Sequence, residues 1–135
     1  MPEFLSPEWV AALDSAARDS VELRAATDEL AATVQQVVPD APNGAVHYHV
    51  TMDHGVVRVR AGRAQSPDLT LLADYEVARA INDGTITAQR ALASGRLKIK
   101  GGMTAFVGHE RALAAIGDIF GAVRATTTYA VDGPA

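Results

Sequence analysis

The sequence has no cysteine, so a disulfide framework, a thiolate metal centre and a thiol nucleophile are all excluded. A reducing, cytoplasmic setting is the expectation that fits such a chain. Long apolar runs are lacking too: none approaches the roughly 20 residues needed to cross a bilayer. The first residues, "MPEFLSPEW", have no basic segment leading into an apolar one, so no secretory signal is expected, and "AVDGPA" carries no receptor-read address. Positive charge is scarce. Sixteen acidic residues face 12 basic ones, a net charge of −4, which disfavours nucleic acid as the main partner because phosphate contacts need a concentrated positive field. Lysine occurs twice, at Lys98 and Lys100. Aromatics are 5% of the chain and alanine is abundant; small residues on covering helices either allow close packing or leave space.

What is present reads as one globular domain, residues 1–135, with 48% hydrophobic residues. Ser6 and Pro7 in "SPEW" suit a helix N-cap and first turn, and Trp9, Val10, Leu13, Ala16 and Ala17 form an apolar helical stripe. A weaker helical stretch is expected to about Leu30. "ATVQQVV" (32–38) stops at Pro39, "DAPNG" is turn chemistry, and "AVHYHVTM" follows, which together read as a hairpin. "DHG" leads into "VVRVRAG" and "QSPD" into "LTLLA", so an antiparallel meander is expected. The period then changes. Asp74 can cap a helix "YEVARAIND" ended by Gly84, Thr87 can cap "AQRALA" ended by Gly95, and "RLKIKG" is a fifth strand. From Met103 to about Thr126 the pattern is helical, with Gly108, Gly117 and Gly121 each costing about 1 kcal/mol relative to alanine. Such an interrupted helix could act as a lid.

Strand parity shows which face is covered. Val46, Tyr48, Val50 and Met52 share one face, and His47, His49 and Thr51 the other. Val57 and Val59 oppose Arg58 and Arg60; Leu97 and Ile99 oppose Arg96, Lys98 and Lys100. Each strand has one apolar and one polar side, so the expected fold class is α+β, a single sheet with helices on one face and water on the other.

In "ASGRLKIKGGMTAF" (93–106) two glycines stand between a strand and a helix, where a phosphate loop would lie. Neither G-x-x-x-x-G-K-[ST] nor G-x-G-x-x-G is present, so Gly101 and Gly102 are expected only to reverse the chain. "SGRLKIKGGM" resembles the signature of the sterol carrier protein 2 family, and "DLTLLADYEVARAINDGTITAQRALASGRLKIKGG" is similar to that family's core. With "VQQVV…GAVHYHVTMDHGVVRVRAG" upstream, the resemblance covers roughly residues 5–129 and looks like that of bacterial single-domain members. It implies a five-stranded, mostly antiparallel sheet with helices on one face and an apolar tunnel between the layers. That tunnel would hold a sterol, fatty acid, fatty acyl-CoA or phospholipid, with no metal, cofactor or covalent chemistry. The expected walls are Trp9, Leu13, Ile81, Leu92, Met103, Phe106, Leu113, Ile116 and Phe120; each taken alone is also an ordinary core residue.

Other readings compete for the polar residues. His47 and His49 share a strand face and His54 follows the turn, a set that could bind zinc. That face is the watery one and no spaced carboxylate or cysteine completes a site, so surface histidines are the plainer reading. His109 and Glu110 could form an acid–base pair or simply a solvated helix surface beside Arg111. Arg58, Arg60, Arg63, Arg96, Lys98 and Lys100, half of the cations, could make transient contact with anionic lipid headgroups or dock a protein, if strand order brings them together. Two alternatives to a lipid carrier follow. One is a cofactor-free cyclase or isomerase using a buried Tyr48, Asp or His in the same cavity. The other is a protein-interaction module with a vestigial cavity.

Overall fold

Ser6 starts the first helix as its chemistry suggests: the hydroxyl accepts the Trp9 N–H at 3.2 Å, with Pro7 in the first turn. In this computed structural model the described residues are 2–101, 111, 112, 115 and 121–129, with the side chain of Gln89 left out. Helix α1 (Pro7–Asp19) ends at Ser20, whose hydroxyl accepts the Leu23 N–H and so caps α2 (Val21–Ala26). Strands β1 (Ala31–Val38), β2 (Val46–Asp53), β3 (Val56–Ala61) and β4 (Leu69–Ala73) follow. Then come α3 (Tyr75–Asp83), α4 (Ala88–Ala93) and β5 (Leu97–Gly101). Asp74 and Thr87 cap α3 and α4, and Gly84 takes the left-handed conformation (φ 86°) that ends α3.

The sheet has five strands in the order β3-β2-β1-β4-β5. Three pairings are antiparallel and one, β1 with β4, is parallel. The expected meander therefore holds for β1–β3 and fails at β4, which crosses back to the far side of β1. Two contacts explain this. The free edge of β3 is already taken by α1, where the Asp14 carboxylate accepts the Val59 N–H at 2.7 Å. An edge so covered cannot add a strand. The segment between β3 and β4 is also fastened across the polar face by Gln35, which accepts the Ala64 N–H at 2.6 Å and donates to Tyr48 O at 2.9 Å. Asp68 then grips β1, its carboxylate accepting the Thr33 N–H at 2.8 Å while its own N–H reaches Thr33 O at 2.9 Å.

Asp14 is the buried charge of this layer. Burial pushes its carboxyl up, but the Arg58 hydrogen bond, the Val59 N–H and the Arg58 and Arg18 charges outweigh that, so it sits below the ordinary carboxylate range. Under α1, the inner faces of β1–β3 carry a core in which Trp9, Leu13 and Leu23 have no exposure and Val50 and Met52 have 1%. Phe4 and Tyr48 meet Trp9 edge-on, with ring centroids 4.9 and 5.4 Å away. Residues 121–124 are helical, and Thr128 bridges Glu3 next to the start of α1.

Candidate functional site

The β4–β5 half of the inner face is filled differently. Here Ala73, Val77, Ala91 and Leu97 are buried, while Leu71, Ala78, Ile81, Ile86 and Ala88 are only partly so. Register explains the pattern. One row across the sheet runs Val59–Val50–Val34–Leu69, and every member is buried. The next inner row runs Ala61–Tyr48–Gln36–Leu71–Ile99, and its members from Gln36 to Ile99 remain partly accessible although the helices lie on this side. The floor is thus partly accessible along this row, beside a row that is fully buried.

Among the described residues the roof is made of short elements. Helix α3 buries Val77 and Asn82, and Ile81 stays half-buried. At its end the Asn82 amide donates to the Tyr129 hydroxyl at 2.8 Å, and Arg124 Nε donates to Asn82 O at 2.8 Å. Arg124 lies so close that a Cβ on Gly84 would come within 3.0 Å of its guanidinium carbon. Tyr129 also packs on Phe4 and takes the Arg79 guanidinium 4.5 Å above its ring. These contacts fasten the roof at one end, while alanines at positions 78, 80, 88 and 91 leave it thin.

Among the expected wall residues, Trp9 and Leu13 lie in the closed core beneath α1, and Ile81 belongs to the partly open cluster. Leu92 is 41% exposed and outside both clusters, because Ala91 takes the buried position on α4. Met103, Phe106, Leu113, Ile116 and Phe120 lie outside the described residues, as do His109 and Glu110. Gly101 has φ 104°, and a Cβ there would meet Asp68 O at 2.8 Å, so β5 needs glycine where it closes on the start of β4; Gly102 is not among the described residues. Gln36 was not foreseen as an inner-face residue. The signal was present, since its parity matches Val34 and Val38, but a polar residue in a short branched run reads as outward-facing.

The remaining polar groups lie elsewhere. Tyr48 faces inward, and burial pushes its phenol up, so the hydroxyl keeps its proton. His49 Nδ1 lies 3.0 Å from Gly62 O on the polar face, and among the described residues no group of three potential ligands could hold a metal. Strand order puts the cations of β3 and of β5 at opposite edges of one face, about 19 Å apart at the usual strand spacing. They share the face without forming a cluster. At the other end of the molecule Val21, Arg24, Ala25, Asp28, His54, Gly55 and Val56 line an open depression of about 500 Å³. Val21 and Val56 give it an apolar lining, but it lies open to solvent and does not enclose a ligand. No helix among the described residues is long and apolar enough to cross a membrane.

Comparison with known proteins bears on what this architecture is. A sequence search of curated proteins found no match. Among solved structures the chain is similar to a sterol carrier protein 2 crystal structure, at 20% identity and a TM-score of 0.74, covering 87% of this chain and 97% of that one. A conserved hypothetical protein from Thermus thermophilus matches at 21% identity and 0.75, covering 100% and 94%. Palmitated SCP2L2 from Aedes aegypti matches at 21% and 0.61, covering 85% and 94%. These identities show the shared fold. The family model for the SCP-2 sterol transfer family matches residues 11–112, most of the chain, and this protein therefore belongs to that family.

Proposed function

We propose that the protein binds a hydrophobic small molecule of the sterol, fatty acid or fatty acyl-CoA kind between the β4–β5 half of the sheet and α3–α4, and carries or presents it within the cytoplasm. The observation that carries this reading is the row Gln36–Leu71–Ile99, accessible on a face that helices cover. Apolar surface left half-wetted favours an apolar guest, which gains about 0.8 kcal/mol for each methylene it buries. A chain of a dozen or more carbons needs no charge partner at that rate. Ile81 and Ile86 are the wall residues assigned from the described roof, and Met103, Phe106, Leu113, Ile116 and Phe120 are assigned from the sequence. The whole chain acts in this reading as one lipid-binding domain. Exposed Arg60, Lys98 and Lys100 would support brief contact with anionic headgroups, each cation contributing about 1 kcal/mol at such a surface.

Native mass spectrometry after exposure to a panel of sterols, fatty acids and acyl-CoAs tests the proposal. Retention of one guest per chain is expected. Failure to retain any of them would overturn it.

A further inference from the structure

Gln36 and Tyr48 are directly opposite one another on β1 and β2, on the inner face. Opposed Cβ atoms in such a pair lie about 5 Å apart. Apart from these two, the paired inner-face positions of the sheet are apolar: Ala32, Val34 and Val38 on β1, Val46, Val50 and Met52 on β2, and Leu69, Leu71, Leu97 and Ile99 on β4 and β5. Among the described residues neither the Gln36 amide nor the Tyr48 hydroxyl has a hydrogen-bond partner, and Tyr48 is only 5% exposed. Neither belongs to the fully enclosed unpaired polar atoms, so both groups stay reachable and uncommitted, open to a guest that takes the place of water. They also stand at the end of the accessible row, where a guest lying on Leu71 and Ile99 would finish.

We infer that Gln36 and Tyr48 form the head-group site of the bound molecule, and that they select an uncharged oxygen, above all a hydroxyl. This rests on the lipid-binding reading above. The amide offers one acceptor and two donors, and the phenol, kept protonated by its burial, offers a donor. A ligand hydroxyl can donate to Gln36 Oε1 while accepting from Tyr48. A carboxylate has no proton for the amide oxygen, no cation stands on the inner face of the described strands to balance it, and the roof's Arg79 and Arg124 are held on the Tyr129 ring and on Asn82 O. The partners of Gln36 are therefore an alcohol or sterol hydroxyl before a fatty acid anion.

The test equilibrates the protein at pH 8 with equimolar 1-hexadecanol, its methyl ether and palmitate, then extracts and quantifies what is retained. The ether partitions from water more readily, so partition alone favours it over the alcohol. The expected result is about tenfold more alcohol than ether and more alcohol than palmitate. Gln36→Leu is expected to bring the alcohol-to-ether ratio to about one, and Tyr48→Phe to lower it severalfold. Gln36→Leu should leave the empty protein at least as stable, since it completes an apolar face; a merely structural glutamine would lose stability instead. Should either variant fail to fold, the other decides. Equal retention of alcohol and ether, a preference for palmitate, or a ratio unmoved by the variants would overturn this inference alone. Retention of none of the three would overturn it together with the lipid-binding reading.

Discussion

Beneath α1 the inner face of β1–β3 is filled with Trp9, Leu13, Val50 and Met52, none more than 1% exposed, whereas over β4–β5 the comparable positions Leu71, Ile81, Ile86 and Ile99 keep part of their surface accessible. Both halves belong to one sheet and both carry helices. The difference lies in what the helices bring. Helix α1 is 13 residues long and offers a tryptophan and a leucine to the sheet; α4 is six residues long and buries an alanine. A long helix with large side chains closes its layer, and a short one with small side chains leaves room. One half is packed shut, and the other is where the proposed guest would lie.

The comparison can be broken by substitution. Trp9→Ala should have the largest effect, a loss of about 3–5 kcal/mol in denaturant unfolding, because it opens a cavity in the closed half. A loss below about 1 kcal/mol would mean that this half is not closed. Asp14→Ala should cost about 2 kcal/mol by leaving the buried Val59 N–H without its acceptor. The same carboxyl makes a pH prediction. Its folded-state value is lowered, so its contribution is present above the ordinary carboxylate range and is lost as pH falls through that range and below it. Unfolding followed from pH 6 downward should therefore show the wild type losing more stability than Asp14→Ala. Parallel curves would remove Asp14 from this role.

Ile81→Trp sharpens the contrast from the other side. In a packed layer the added bulk would cost about 1–3 kcal/mol; in an open one the change should stay below about 1 kcal/mol while lipid retention falls roughly tenfold. A large stability loss would show that the β4–β5 half has no room. Val21→Ser should do least, within about 0.5 kcal/mol and without effect on retention, because Val21 is 71% exposed on the rim of the far depression.

Much of this arrangement was legible in the residues. The alternation in "VHYHVTMD" separates Tyr48, Val50 and Met52 from His47, His49 and Thr51, and the structure buries the first set. Caps at Ser6, Asp74 and Thr87 are local chemistry, and all three form. The place of β4 was not legible, because it is decided by long-range contacts: Asp14 covering β3 and Gln35 holding the crossover. Neither has a spacing signature. The open row was hidden for a related reason. Whether Gln36, Leu71 and Ile99 are covered depends on which strands lie side by side, and the parallel β1–β4 pairing puts them in line. Leu92 shows the limit of composition as a guide, since a leucine beside Ala91 on a six-residue helix was turned outward by its phase.

The central claim is that an oily guest lies on the Gln36–Leu71–Ile99 row under α3. Photo-crosslinking with a long-chain alcohol bearing a diazirine in its tail, followed by peptide mapping, tests it most directly. The account predicts adducts on peptides from β4, α3 and β5, around Leu71, Ile81 and Ile99, that unlabelled alcohol competes away. Adducts confined to α1, or to the Val21–Val56 depression, would contradict it.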